Sequence, residues 1–291
     1  MTTTTEILLI GADGFLGSRL AAHWGARCVA LGRSALNLTR PADVTDALRR
    51  IRPRCVVLTA ALADTGYCVA HPDESKRVNL QGPVNVARAC REVGARLVYM
   101  SSDQVYNACP VGVPLCEEQA VSPRGPYASH KLQAECAIAR ELPGAAVSLR
   151  LTWMYDDPRS PLRAAAHLLR RLAEARRTGH PLRLAVNDHR GLTDVRHVVE
   201  RMDLALTLPA GVYNFGCTAR LNTYQTVRRA LVRVLGDDAG AWVEPDAEAF
   251  APVGRNLLMS AAKAEANGIC FGDTEENLVK ALAVCPDFAG C

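Results

Sequence analysis

The stretch that decides the fold is Ile7-Leu8-Leu9-Ile10-Gly11-Ala12-Asp13-Gly14-Phe15-Leu16-Gly17. Its four leading apolar residues form a short continuous run, which is typical of a parallel strand buried on both faces. The three glycines that follow are spaced three apart and lead into a helical pattern. The first permits a tight turn, the second lets a pyrophosphate approach the backbone, and the third allows close packing of helix on strand.

This turn predicts a dinucleotide site, because a helix N-terminus offers unpaired N–H groups to an anion. The alternative is a strand-to-helix turn with no ligand. The residues that we expect to contact the cofactor here are Gly11, Asp13, Gly14, Phe15, Leu16 and Gly17.

Strand and helix patterns alternate over the first half of the chain. Apolar runs at 28–31, 55–58, 97–100 and 146–151 alternate with helical patterns at 43–51, 74–91 and 127–140. Such alternation predicts an α/β fold with a Rossmann-type doubly wound parallel sheet.

Beyond residue 151 the alternation loosens, with strand patterns at 182–186 and 211–215 and helical patterns at 195–206 and 222–235. We therefore expect a dinucleotide-binding domain at 1–151, to which segments around 187–216 return. Residues 152–186 and 217–291 should form a smaller C-terminal substrate-binding lobe.

Composition and charge exclude several classes of protein. The 291 residues are 49% hydrophobic and 22% charged, which is ordinary for a globular protein. The 34 basic and 30 acidic residues give a net charge of +4, and the arginines are scattered, so a nucleic-acid partner is not expected. The densest basic stretch, 163–177, has the pattern of an amphipathic helix with a solvated face.

The location expected from the sequence is cytoplasmic. No basic and apolar signal segment is seen at the start, and no apolar run reaches the length of a membrane span. The eleven cysteines show no Cys-x-x-Cys pair, so we expect reduced thiols and no metal site.

The residues after the second strand bear on the choice of cofactor. An NAD site usually has an acidic residue there for the ribose hydroxyls, whereas this chain reads Leu31-Gly32-Arg33-Ser34. Arg33 could pair with a 2′-phosphate, which favours NADPH. If Arg33 instead faces solvent and another group binds the ribose, NADH is possible.

A candidate catalytic set follows the strand that ends at Met100. Ser102 lies at the carboxyl edge of the sheet, where ligands of such folds bind. Tyr127 and Lys131 lie one helical turn apart and project from one face. Tyr127 could donate a proton to a carbonyl oxygen that Ser102 hydrogen-bonds, while Lys131 lowers the phenol pKa and holds the nicotinamide ribose. Singly, each residue could equally be a turn cap, a half-buried tyrosine or a surface lysine.

The glycine motif, Ser101-Ser102-Asp103 and Tyr127-x-x-x-Lys131, in this order, resemble an extended short-chain dehydrogenase/reductase. Within that superfamily the chain is similar to the dTDP-4-dehydrorhamnose reductase group of nucleotide-sugar ketoreductases. The similar stretches run along most of the chain: 37–39, Val78-Asn79, 150–155, 191–195 and 211–215.

The resemblance implies an enzyme that uses NADPH to reduce a keto group on a nucleotide-activated 4-keto-6-deoxyhexose. It gives Ser102, Tyr127 and Lys131 the catalytic roles. It places Ala60 and Ala61 beside the cofactor, with Asp103 and Trp153 facing the sugar. A core role for Trp153 is an equal alternative.

The chain departs from related proteins in two places. Sugar 4,6-dehydratases carry a glutamate base after the acid, but here Asp103 is followed by Gln104, whose amide cannot accept a proton. Some family members form a dimer linked by magnesium through acidic residues, and those residues are not evident here. We therefore do not expect a magnesium-linked dimer, and a homodimer of another kind stays open.

Two other functions stay open at this point. One is a nucleotide-sugar epimerase, which would retain its NAD(P) through each turnover. The other is a non-catalytic NAD(P)-binding regulatory subunit, which would predict a degraded catalytic set rather than the intact one seen here.

Overall fold

The structure is a computed structural model that describes residues 6–157 and 168–288. The strands are β1 (Ile7–Ile10), β2 (Cys28–Leu31), β3 (Cys55–Leu58), β4 (Arg96–Ser102), β5 (Ala146–Leu151), β6 (Trp153–Tyr155), β7 (Leu182–Ala185), β8 (Asp188–Arg190), β9 (Leu192–Asp194), β10 (Gly211–Phe215), β11 (Val243–Asp246) and β12 (Arg255–Leu257).

The α-helices are α1 (Phe15–Trp24), α2 (Pro41–Ile51), α3 (Thr65–Ala70), α4 (Pro72–Lys76), α5 (Gly82–Val93), α6 (Pro126–Glu141), α7 (Leu168–Thr178), α8 (Val195–Ala205), α9 (Thr223–Leu235), α10 (Ala262–Glu265) and α11 (Thr274–Val284). A π-helical stretch, Arg77–Gln81, joins α4 to α5, and 3₁₀ turns cover Gly25–Arg27, Asp103–Tyr106 and Asp237–Trp242. No helix of the described ranges is long and apolar enough to cross a membrane.

A six-stranded sheet in the order β10-β5-β4-β3-β1-β2 forms the centre of the fold. Strand β1 pairs in parallel with both β2 and β3, and β3 pairs in parallel with β4. The chain passes from β1 to β2 on one side and then crosses to β3 on the other. This reversal opens a crevice at the carboxyl ends of β1 and β3, where ligands of doubly wound sheets bind. The predicted Rossmann-type α/β fold is confirmed.

The apolar runs read from the sequence form the core of this sheet. Each residue of β1 is at most 1% exposed, and β3 is buried along its length. Helices α2, α5 and α6 supply side chains to one core cluster that includes Val44, Val86 and Ile138. Each such side chain stabilises the fold by about 1.5–3 kcal/mol relative to an exposed one.

The chain divides into two compact units. The first comprises Met1–Val105, Ser122–Arg150 and Arg201–Tyr213, and the second Tyr106–Val121, Leu151–Glu200 and Asn214–Cys291. Two boundaries differ from the sequence expectation, which kept 106–121 and the segment around 187–200 with the first domain. The segment 106–121 groups with the second unit because the Asn214 side chain bonds the Leu115 carbonyl and the Glu117 carboxylate bonds the Asn214 N–H.

The second unit has its own small sheets and its own core. Strand β11 pairs with β7, β12 with β8 and β6 with β9, each in parallel. These pairings place 188–194 in the second unit. Helices α7, α9 and α11 share a second buried cluster. The assignment of this unit as a substrate-binding lobe stays a prediction.

Several elements differ from those read in the sequence. The expected helix at 74–91 is broken into α4, the π-helical stretch and α5, and it changes geometry next to Pro83, which has no N–H to donate. Helices α3 and α11 were not predicted. Asn222 caps α9, since its side chain accepts from the Gln225 N–H at 2.8 Å. The start of the amphipathic pattern at 163–177 lies outside the described residues, which contain α7 from Leu168.

Candidate active site

The three glycines of the first turn meet different constraints. Gly11 has φ +99°, and a Cβ there would lie 2.5 Å from the Ala60 nitrogen. A Cβ on Gly17 would lie 2.0 Å from the Gly11 carbonyl oxygen, so this position needs glycine for helix-on-strand packing. A Cβ on Gly14 would meet only that same oxygen, at 3.2 Å. Gly14 is thus less crowded than Gly11 and Gly17, although 3.2 Å is a tight contact for a Cβ.

Gly14 lies at the start of a helix. Gly14 is the N-cap of α1 and makes no side-chain cap hydrogen bond. The first N–H groups of a helix have no partner within the helix, and they favour an anion. The turn therefore fits the pyrophosphate of a dinucleotide, with Phe15, Leu16 and Gly17 supplying the helix N-terminus.

Asp13 joins the glycine turn to the end of β2. Its carboxylate accepts a hydrogen bond from the backbone N–H of Arg33 at 2.8 Å. A Cβ on Gly32 would lie 2.1 Å from the Asp13 Oδ2 atom, so glycine at 32 makes this contact possible. The Arg33 guanidinium is exposed, and no hydrogen bond or ion pair holds it within residues 6–157 and 168–288.

The loop after β3 lies beside the glycine turn. The N–H groups of Thr59 and Ala60 both donate to the Ile10 carbonyl, at 2.9 and 3.2 Å. Ala60 and Ala61 are half-buried. The structure therefore brings Ala60 next to Gly11, and a shared contact with a cofactor stays a prediction.

Asn79 holds the same loop and was not predicted as a site residue. Its side-chain oxygen accepts from the Leu62 N–H at 2.9 Å, and its nitrogen donates to the Leu62 carbonyl at 3.0 Å. Asn79 is fully buried within the π-helical stretch. In the sequence its only signal was the similar stretch Val78-Asn79, because pairing at a distance of seventeen residues has no local pattern.

Ser102 and Asp103 lie where β4 ends, at the carboxyl edge of the sheet. The Ser102 hydroxyl donates to the Asp103 carboxylate at 3.2 Å and accepts from the Gln104 N–H at 3.2 Å. Asp103 is 1% exposed and Ser102 is 9% exposed. A serine hydroxyl can both donate and accept, so Ser102 keeps the capacity to bond a reacting oxygen.

Tyr127 and Lys131 lie on the first turns of α6. Gly125 precedes the helix with φ +84°, and Pro126 occupies its first turn, where a missing N–H costs nothing. The Lys131 Nζ atom lies 5.8 Å from the centre of the Tyr127 ring, and 4.7 Å from that of Tyr99. One helical turn thus brings the Lys131 amine to the face of the Tyr127 ring, and their catalytic roles stay a prediction.

The Lys131 amine is deeply buried. The residue is 2% exposed, and its Nζ donates to the Met100 carbonyl oxygen at 2.7 Å. Burial lowers the pKa of Lys131 from its ordinary value to about 7, although the carboxylate of Glu135 acts in the opposite direction. An ammonium held in an apolar setting acts strongly on a neighbouring phenol, because little water screens it.

Trp153 lies in the second unit, in β6. It packs partly buried against the core cluster of that unit, and the Arg190 guanidinium lies 5.5 Å from the centre of its ring. Both a packing role and a stacking role for its exposed part suit this position. Among the described residues, no group of three or more His, Cys, Asp or Glu side chains is placed to hold a metal ion.

A doubly wound sheet with a glycine turn after β1, a serine at the end of β4 and a Tyr-x-x-x-Lys helix defines a short-chain dehydrogenase/reductase, an NAD(P)H-dependent oxidoreductase. Comparison with known proteins makes the class more specific. Residues 5–270 match the model of the RmlD substrate binding domain, and the chain belongs to that family.

One curated relative is a dTDP-4-dehydrorhamnose reductase from Streptomyces griseus. It is 32% identical over 79% of this chain and 76% of its own length. Other curated relatives of that name match over about half of their own length.

Solved structures share the fold. A dTDP-4-dehydrorhamnose reductase from Bacillus anthracis, in complex with NADP, has a TM-score of 0.79 at 18% identity and covers 96% of this chain and 98% of its own. A UDP-glucose 4-epimerase from Thermus thermophilus, in complex with NAD, has a TM-score of 0.75 at 26% identity and covers 98% of this chain and 99% of its own.

Proposed function

We propose that this protein uses NADPH to reduce a keto group on a nucleotide-activated 4-keto-6-deoxyhexose of the dTDP type. The observation that carries the proposal is the buried Lys131 amine beneath the Tyr127 ring, on a helix that flanks the strand end bearing Ser102. Membership of the RmlD family and the similarity to the Streptomyces griseus reductase support the choice of substrate class.

Three side chains have separate roles in the proposed reduction. Tyr127 donates its phenolic proton to the carbonyl oxygen as that oxygen gains negative charge. The Ser102 hydroxyl hydrogen-bonds the same oxygen, which stabilises the developing charge. The Lys131 ammonium lowers the phenol pKa and makes the proton easier to release. NADPH, when bound, supplies the hydride.

The choice of NADPH rests on the end of β2. The fold alone does not select a cofactor, because one structural relative was solved with NADP and another with NAD. In this chain the position after β2 offers an exposed guanidinium with no hydrogen bond or ion pair to the described ranges, and no carboxylate side chain follows Gly32 before Asn37. A guanidinium suits a 2′-phosphate because it donates two parallel hydrogen bonds.

On the substrate side we assign roles to Asp103 and Trp153. Asp103 hydrogen-bonds a sugar hydroxyl, and the exposed part of Trp153 packs on the pyranose ring. Gln104 follows Asp103, so no side chain of that pair supplies the second base of a dehydratase. A cytoplasmic location and a homodimer stay predictions from the sequence.

The experiment follows NADPH absorbance in the presence of a dTDP-4-keto-6-deoxyhexose. We expect oxidation of NADPH by the wild type and at least about a hundredfold lower rate for Tyr127→Phe, since a positioned general acid contributes that much. Tyr213→Phe is a matched control, because the Tyr213 hydroxyl bonds the Pro209 carbonyl outside the site. Its rate should equal that of the wild type.

Other outcomes point to other functions. An epimerase would retain its cofactor on purification and change the sugar without net NADPH consumption. A regulatory subunit would be inert towards every nucleotide sugar and would copurify with a larger enzyme. An unchanged rate in Tyr127→Phe would contradict the assigned acid.

A further inference from the structure

Three polar side chains are buried together behind the candidate catalytic set: Ser101, Glu135 and Arg150. The Ser101 hydroxyl donates to the Glu135 Oε1 atom. The Arg150 Nε and Nη2 atoms donate to Glu135 Oε1 and Oε2 at 3.1 and 2.7 Å. The side chains of Arg150 and Glu135 are only 4% and 3% exposed. We call this group the Glu135 cluster.

The Glu135 cluster joins the two elements that carry the catalytic residues. The Met100 carbonyl in β4 accepts from Lys131 in α6, and the next residue of β4, Ser101, bonds Glu135, one turn further along α6. The residue after that is Ser102. Two consecutive strand residues are therefore bonded to two consecutive turns of the helix that bears Tyr127.

Stability alone does not account for this arrangement. A buried ion pair loses hydration on both partners, and replacing such a pair with apolar side chains is often neutral or stabilising. Neighbouring residues of α6 and β5 that belong to one core cluster, Ala134, Ile138 and Ala146, are apolar and buried. Because apolar side chains could replace this ion pair without loss of stability, we infer that the ion pair has a function that needs its charge.

The charge of Glu135 acts on Lys131. From α6, Glu135 and Tyr127 face the amine; from β4, Tyr99 does; and from α3, Cys68 does. Burial lowers the pKa of Lys131 to about 7, and the Glu135 carboxylate opposes this effect. Arg150, on β5, holds the carboxylate in place through hydrogen bonds from its Nε and Nη2 atoms.

We propose that Glu135, paired with Arg150, is a positioning residue for the reaction. It fixes the strand end that carries Ser102 against the helix that carries Tyr127, and it places a negative charge one helical turn from Lys131. The ammonium form of Lys131 is thereby kept available to the phenol. This inference deepens the proposed function and rests on it for the identity of the reaction.

The test measures the pKa of Lys131 directly, without substrate. The chain has four lysines, at 76, 131, 263 and 280, so carbon-13 labelling of the lysine ε carbons gives a spectrum in which Lys131→Met assigns the signal of interest. Glu135→Gln keeps the shape and removes the charge. We expect it to lower the pKa of Lys131 by about one unit, the effect of losing an opposite charge nearby.

A matched control lies on the same helix. Glu141 pairs with Arg88 and Arg91 at the surface, near the end of α6. Glu141→Gln removes the same charge from the same helix, but far from the amine, and should leave the pKa of Lys131 unchanged. An equal shift in both variants would overturn the proposal.

A second variant covers the case in which Glu135→Gln does not fold because its arginine is left without a carboxylate. Glu135→Gln combined with Arg150→Met leaves no unpaired charge in the core. We expect this double variant to fold and to show the same lowered pKa of Lys131. Its rate of reduction should then begin to fall at a correspondingly lower pH than the rate of the wild type. If neither variant folds, the Glu135–Arg150 pair is required for folding itself, and the proposal is wrong.

The two proposals fail in different ways. If the wild type reduces no nucleotide sugar while the Lys131 titration shifts as expected, the proposed function fails and the positioning role stands. If the wild type is active, and the double variant keeps the wild-type pKa of Lys131 and the wild-type rate at every pH, the positioning role fails and the proposed function stands.

Discussion

The buried ammonium of Lys131 couples the fold to the proposed chemistry. Its pKa is lowered to about 7 because burial penalises the charged form. A lysine with that pKa changes charge within the range in which enzymes work, whereas an exposed lysine stays charged. The aid that Lys131 gives to Tyr127 should therefore depend on pH.

The pH dependence has a definite sign. Reduction needs the ammonium form of Lys131. This form is fully populated well below the pKa of Lys131 and is lost as the pH rises through about 7. We expect kcat/KM for NADPH to be highest near pH 6 and to fall towards pH 9, since this constant reports groups of the free enzyme. A stopped-flow or steady-state profile measures it. A flat profile over that range would contradict the assigned role of Lys131.

Arg33 makes a separate prediction about the cofactor. Arg33→Ala removes the donor for a 2′-phosphate, and a hydrogen bond to a charged group contributes about 1.5–3 kcal/mol. We expect KM for NADPH to rise about ten- to a hundredfold and KM for NADH to stay the same.

The control for Arg33 is Arg40→Ala. Arg40 is an exposed arginine of the same loop, and its nearest acid is Asp43 at 3.8 Å. It should leave both constants unchanged. Equal weakening of NADPH and NADH by Arg33→Ala would show that Arg33 does not read the phosphate.

At the residue scale, the sequence predicted Tyr127 and Lys131 because their spacing of one helical turn fixes a shared face. It did not predict Asn79 or Glu135 as parts of the site. Each of them acts through a partner fifteen or more residues away, Leu62 and Arg150 respectively, and such pairing has no signature in local spacing.

At the scale of elements, two glycines of the turn between β1 and α1 have different roles: Gly17 allows close packing, and Gly14 lies at the proposed cofactor site. Gly17 lies against the Gly11 carbonyl, so a methyl group at 17 has no room, whereas a methyl group at 14 would meet only that oxygen, at 3.2 Å. Gly14 has φ −77°, which any residue adopts. The two positions therefore respond differently to the same substitution.

We expect Gly17→Ala to destabilise the fold by about 1–3 kcal/mol or more, the usual cost of forcing an extra methyl group into packed atoms. Thermal unfolding measures this loss.

Gly14→Ala should lose less stability than Gly17→Ala but bind NADPH at least about tenfold more weakly, because the methyl group enters the space for the pyrophosphate. Fluorescence titration with NADPH measures the change. Wild-type affinity in folded Gly14→Ala would place the cofactor elsewhere.

Periodicity predicted elements well where one long pattern forms one element. Strands β1, β3 and β5 were found because continuous apolar runs identify strands buried on both faces. The region 74–91 was read as one long helix, yet it contains the end of α4, a π-helical stretch and most of α5. Helical spacing is almost the same on either side of a π turn, so the pattern could not show the break.

At the scale of the whole molecule, the chain forms two compact units whose segments interleave along the sequence. The first unit was predicted in outline because it is built from consecutive strand and helix pairs. The segment 106–121 was assigned to it wrongly, since its bonds to Asn214 join residues about a hundred positions apart. Short strands such as β6, β8 and β9 have three residues each, too few to show an alternation.

At this scale the proposed function makes one prediction, and it is the most direct test of the account. NADPH that carries deuterium at the transferable position is incubated with the wild type and a dTDP-4-keto-6-deoxyhexose. We expect one deuterium in the product sugar, on the carbon that bore the carbonyl, for each NADPH oxidised, as read by mass spectrometry and NMR. A sugar that gains no deuterium while NADPH stays reduced would contradict the account.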